Sequence, residues 1–131
     1  MEIVLDTSFI LTCVKQKIDF FHLGEELFSE KLEWVVPLEV LKELETLAQR
    51  TGEKISDKES AETALQILKE QNVPIVPLEN KNTDDGIVEY VKERVIEKPI
   101  IATIDKELKQ RVQTLKLKVM VIRDMKSLGI E

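Results

Sequence analysis

The sequence predicts an α/β domain with three layers, a central and mainly parallel sheet covered by helices on both faces. Two observations predict it. Short apolar runs alternate with amphipathic helical stretches along the whole chain, the order that builds successive βαβ units. Several of the runs are contiguously apolar, as strands buried on both faces are. With 131 residues, the chain has the length of a single domain, expected to span 1–131.

The elements follow in order. Glu2 to Asp6 reads as the first buried strand, through Ile3, Val4 and Leu5. Ser8 to Lys17 is helical, with Phe9, Ile10, Cys13 and Val14 on one side, and a second helical stretch carries Phe20, Leu23, Leu27 and Phe28 around Gly24. Trp34-Val35-Val36 is a strand closed by Pro37. Leu41, Leu44, Leu47 and Ala48 then mark an amphipathic helix ending near Gly52. Ser56 and Glu59 resemble a capping box that opens a helix bearing Ala61, Ala64, Leu65 and Leu68. Pro74 to Leu78 is a strand and Asn80 to Thr83 a polar loop. From Asp84, a helix presents Ile87, Val88, Val91 and Val95. Pro99 to Ile104 is the strongest buried strand. Leu108, Val112 and Leu115 stripe the next helix, and Val119 to Ile122 is expected as the last strand.

Composition excludes several classes of function. Four Gly and four Pro leave no room for collagen-like or low-complexity structure. A single cysteine, Cys13, excludes an intrachain disulfide framework, and one histidine, His22, excludes a His-rich metal site. There is no Gly-rich phosphate loop, and Ser8 has no evident triad partner. No apolar run approaches a membrane span, and the first residues lack the features of a signal peptide, so a cytoplasmic and reduced protein is expected. The net charge of −6 disfavours a general duplex-DNA coat. Charge is uneven, however: residues 1–91 carry −10 and residues 92–131 carry +4. A solvated basic face explains this, and so does a basic rim beside an acidic pocket.

The acids are placed suggestively. Asp6 ends the first strand, Asp105 follows the strand that runs to Ile104, Asp84 and Asp85 begin a helix, and Glu43 lies in the helix after Trp34-Val35-Val36. Each has a structural use taken singly, as a helix cap or a partner of a helix dipole. Taken together, they fall at the carboxyl edge of one sheet, where ligands bind in this architecture. Carboxylates converging there repel one another unless cations neutralise them, and an oxygen-only set selects Mg2+ or Mn2+.

These residues carry a family resemblance. Val4-Leu5-Asp6-Thr7-Ser8, Val40-Leu41-Lys42-Glu43-Leu44-Glu45, Thr83-Asp84-Asp85-Gly86-Ile87 and Ala102-Thr103-Ile104-Asp105-Lys106-Glu107-Leu108 resemble, in order, the successive motifs of the PIN-domain nucleases. The resemblance implies a metal-dependent endoribonuclease that hydrolyses phosphodiester bonds. It implies catalytic roles for Asp6, Glu43, Asp84 and Asp105, with Mg2+ or Mn2+ held by Asp6, Asp84 and Asp105. Asp85 is an additional acid, for a second metal or an outer position, and Ser8 supports Asp6. Lys106, Lys109 and Arg111 are candidate contacts to RNA phosphates.

The Glu43-Leu44-Glu45 and Asp84-Asp85 patterns resemble archaeal and eukaryotic RNA-processing members more than toxins of toxin–antitoxin pairs. The implied partner is single-stranded or structured RNA. A second copy of the chain, an antitoxin or a ribosome-assembly protein are further candidates, and no membrane is implied. Three other readings compete. A phosphoacceptor receiver domain expects paired acids after the first strand and a Lys after the last, where this chain has Asp6 alone and Arg123-Asp124. A Mg2+-dependent phosphatase expects an acid where Ser8 stands. A catalytically silent RNA-binding module would keep the fold without the chemistry.

Overall fold

The computed structural model describes residues 1–50 and 55–131, with side chains described at 1–50 and 57–131. Six strands form one sheet in the order β3-β2-β1-β4-β5-β6. The first five are β1 (Glu2–Leu5), β2 (Glu33–Pro37), β3 (Ile75–Val76), β4 (Ile100–Ala102) and β5 (Val119–Arg123), and all pair in parallel. The last, β6 (Ser127–Ile130), is antiparallel to β5. Between them lie α1 (Thr7–Lys15), α2 (Phe20–Glu26), α3 (Leu38–Gln49), α4 (Ile55–Glu70), α5 (Thr83–Lys92) and α6 (Lys106–Thr114).

The chain steps from β1 through β2 to β3 in one direction, then from β3 past β1 to β4 and β5 in the other. Right-handed crossovers therefore place the two sets of helices on opposite faces. The helix contacts agree: α1, α3 and α4 pack on one another, and α5 packs on α6. Burial follows the sheet. Ile3, Val4, Leu5, Ile101 and Ala102 are fully enclosed, as strands covered twice must be. The direction in which strands are added to the sheet reverses between the parallel neighbours β1 and β4, which pair Leu5 with Ala102. The residues after these two strands therefore emerge side by side at the switch point.

Several expectations are corrected. The Pro74 to Leu78 strand shrinks to Ile75–Val76, because β3 is the sheet edge and Ile75 is 52% exposed. Helix α5 stops at Lys92 rather than reaching Val95, which lies in a 3-10 turn (Val95–Glu97) and is exposed. There Arg94 donates to the Tyr90 carbonyl at 2.9 Å and lies over the Tyr90 ring, ending the helix with its own side chain. Ile104 is exposed instead of closing a buried strand, since β4 ends at Ala102. Val119 to Ile122 is followed by a further strand. Its turn puts Asp124 and Met125 at φ 53° and 54° without the Gly or Asn that normally announces a hairpin. The predicted end of α3 near Gly52 lies outside the described residues. So does the side chain of Ser56, although α4 already includes that position.

Gly24 does not prevent α2; it permits its packing. A Cβ there would lie 2.5 Å from the Trp34 ring, which also meets Phe20 and Phe21 edge-on. Gly24→Ala is therefore expected to destabilise the protein. Overpacking a core costs about 1–3 kcal/mol, against a gain in helix propensity of about 1 kcal/mol. A urea midpoint at or above the wild-type value would show that the indole yields to the added methyl.

Candidate active site

Asp6 leaves β1 at the switch point and is 5% exposed. It occupies the N-cap position of α1, yet its side chain does not cap that helix. Instead Oδ2 accepts from Ser8 Oγ at 2.8 Å and from Thr103 Oγ1 at 2.7 Å. Ser8 thus stands where its support of Asp6 was expected. Burial pushes the Asp6 carboxyl above its ordinary value; the two hydroxyls oppose the rise, and Glu43 adds to it.

Thr103 is the residue that sequence reasoning missed. It is fully buried after β4, and its Oγ1 also accepts from the Asp105 amide at 3.1 Å. The signal was present: Asp6-x-Ser8 and Thr103-x-Asp105 both space an acid and a hydroxyl by two. Each pair sets a hydroxyl two residues from an acid at the carboxyl end of a strand. Asp105 does cap α6, accepting from the Leu108 amide at 3.0 Å through Oδ1.

Glu43 projects from α3. Its Oε2 accepts from Thr7 Oγ1 at 2.7 Å and its Oε1 from Thr83 Oγ1 at 2.6 Å. Asn82 caps α5 by accepting from the Asp85 amide, so Asp84 sits in the first turn of that helix. Gly86 lets the turn approach the preceding segment, because a Cβ there would lie 3.1 Å from the Asn80 carbonyl oxygen. The Asp84 carboxyl is raised by burial and then by the charges of Asp6, Asp105 and Glu43, while Arg111 opposes the rise. One field thus joins Asp6, Glu43, Asp84 and Asp105.

The other candidates separate from this group. Asp85 forms an ion pair with Arg111 at 2.8 Å. Lys109 pairs with Glu131. Lys106 is exposed at the start of α6. Beside Glu43, a cleft of about 360 Å³ runs past Lys42, Thr46, Leu47 and Arg50. Among the described residues, no three acids, histidines or cysteines close into a ready-made metal cage. The donor set is nonetheless oxygen-rich and crowded with like charge. It suits a hard, hydrated divalent cation that keeps several of its waters, and neither zinc nor a heme iron.

A mainly parallel α/β sheet with acids at its switch point is the arrangement expected of the PIN-like class of domain. Residues 3–125 match the family described as PIN like domain, and the chain belongs to that family. Ribonuclease VapC4 of Methanocaldococcus jannaschii is 34% identical over 125 residues, covering 95% of this chain and 92% of that protein. The rRNA-processing protein fcf1 of Schizosaccharomyces pombe is 33% identical over 116 residues, covering 86% of this chain and 54% of its own. The structure of the PIN domain endonuclease Utp24 superposes with a TM-score of 0.79 at 29% identity, over 99% of this chain and 90% of that one.

The shared field makes a prediction about stability. With its carboxyl raised in the fold, Asp84 binds a proton more tightly in the folded than in the unfolded state. Stability therefore falls as pH rises from the ordinary carboxylate range through the raised value. Asp84→Asn removes that penalty. It is expected to raise the melting temperature of metal-free protein at neutral pH, with the gain fading as pH falls to about 4. A lower melting temperature for Asp84→Asn at neutral pH would show that the acids do not share a field.

Proposed function

We propose that this chain is a divalent-metal-dependent endoribonuclease that hydrolyses phosphodiester bonds of single-stranded RNA, with residues 1–131 forming one nuclease domain. The observation that carries the proposal is the common field of Asp6, Glu43, Asp84 and Asp105 at the switch point. The named activities of ribonuclease VapC4 and the endonuclease Utp24 support it. An RNA-processing role rests on the likeness to fcf1, of which this chain spans about half.

In this reading, Asp6, Asp84 and Asp105 hold Mg2+ or Mn2+. The ion supplies Lewis-acid stabilisation of phosphate charge and acidifies water. Ser8 and Thr103 fix the Asp6 carboxylate by donating to one of its oxygens, leaving the other for the ion. Asp105 divides its carboxylate between the α6 amide and the site. Glu43 orients the attacking water. Asp85 is reassigned: it holds the Arg111 guanidinium, which offers further N–H donors to a phosphate beside the acids. Lys42, at the mouth of the cleft beside Glu43, and exposed Lys106 meet flanking phosphates. Among the described residues no helix is long and apolar enough to cross a membrane. A second copy of the chain, an antitoxin or a ribosome-assembly protein are the partners proposed besides RNA.

Incubation with labelled single-stranded RNA and Mn2+ tests the reading. Cleavage is expected to vanish with EDTA and in Asp6→Asn, which keeps the size of the side chain but removes its charge. RNA binding without cleavage at saturating Mn2+ would favour the silent binding module instead. At limiting Mn2+, Asp84→Asn is expected to lose more activity than Asp85→Asn, because Asp85 is spent on Arg111. The reverse order in folded proteins would return Asp85 to the metal.

A further inference from the structure

Glu43 makes no ion pair among the described residues, although it stands in a field of other acids. Its charge is met by two hydroxyls, one on each carboxylate oxygen. At 2.7 and 2.6 Å, both contacts are well-formed O–H···O hydrogen bonds. The donors are not scattered. Thr7 directly follows Asp6 and is the first residue of α1; Thr83 directly precedes Asp84 and is the first residue of α5.

Position within the helix explains why these hydroxyls are available. Later in a helix, a threonine hydroxyl commonly turns back to the carbonyl four residues earlier. Thr46 and Thr114 do so here, toward Lys42 and Gln110, each at 2.9 Å. A threonine in the first position has no helical carbonyl behind it, so its hydroxyl can serve a tertiary contact. Helices α1 and α3 cover one face of the sheet and α5 the other. The Glu43 carboxylate therefore ties the two helix layers together at the edge where the acids emerge.

We propose that Thr7 and Thr83 are positioning residues that clamp Glu43 between the Asp6 and Asp84 segments and set the spacing at which these acids receive a divalent cation. The inference rests on the metal-dependent reading of the site and adds to it two residues outside the acidic set. The clamp acts through Glu43, with neither threonine touching the ion.

The test is Mn2+ titration by calorimetry on the full chain, with metal-free melting temperatures as the check of folding. Thr7→Val and Thr83→Val keep shape and remove the hydroxyl. Each is expected to bind Mn2+ roughly 10-fold more weakly, the low end of what losing a group that supports a metal site costs, because Glu43 sets the spacing of the ligands without being one of them. Thr83→Ser keeps the hydroxyl and should bind as wild type does. In a Glu43→Gln background, Thr83→Val should add no further loss, because its effect passes through Glu43. RNA cleavage by Thr83→Val should fall at limiting Mn2+ and recover at saturating Mn2+, with KM for RNA unchanged. Wild-type affinity in both valine variants, or equal weakness of Thr83→Ser and Thr83→Val, would overturn the clamp alone. Wild-type protein with no affinity for Mn2+ would overturn the metal-dependent function and the clamp with it.

Discussion

Like charge held at low hydration is the constraint on which the rest of this molecule turns. The parallel neighbours β1 and β4, whose following connections lead to opposite sides of the sheet, deliver Asp6 and Asp105 to one place, and α3 and α5 add Glu43 and Asp84. Ionised carboxylates gathered this way destabilise the fold unless something answers each charge. At Asp6 and Glu43 the answer is hydroxyls rather than cations. Ser8 and Thr103 serve Asp6, and Thr7 and Thr83 serve Glu43. A hydroxyl stabilises a carboxylate without neutralising it, so the edge stays crowded with like charge. A lysine in the same place would have relieved that crowding.

The basic residues are arranged accordingly. Arg111 is close enough to ease the charge on Asp84 but is tied to Asp85. Lys109 is drawn away to Glu131. Two basic side chains of α6 are thus spent on internal pairs. The Asp85–Arg111 pair keeps the guanidinium from neutralising Asp84 outright. It also gives the adjacent acids Asp84 and Asp85 different environments one residue apart, as a helix turning about 100° per residue requires.

The sequence by itself determined the architecture. Contiguous apolar runs at Ile3–Leu5 and Ile100–Ala102, alternating with stripes such as Leu108 and Val112, carry the βαβ order, because burial on two faces or on one leaves a periodic trace in the chain. The same periodicity placed the acids at strand ends and helix starts, and local capping rules offered each a competing use. It failed where burial is set from afar. Ile75 is apolar but lies on an edge, Val95 continues a stripe that Arg94 ends, and Met125 turns a hairpin with no glycine.

Tertiary structure alone decided among those uses. Asp6 sits at an N-cap and does not cap, whereas Asp105 does. That difference depends on Thr103, 97 residues from Asp6, and on Ser8 reaching the same oxygen. Glu43 looks like any solvated helix acid until Thr7 and Thr83, 36 and 40 residues away, are brought to its two oxygens. Periodicity records which side of an element is buried. It holds no record of which distant hydroxyl a carboxylate meets, because that contact exists only once the sheet has set β1 beside β4 and the helices have closed over both faces.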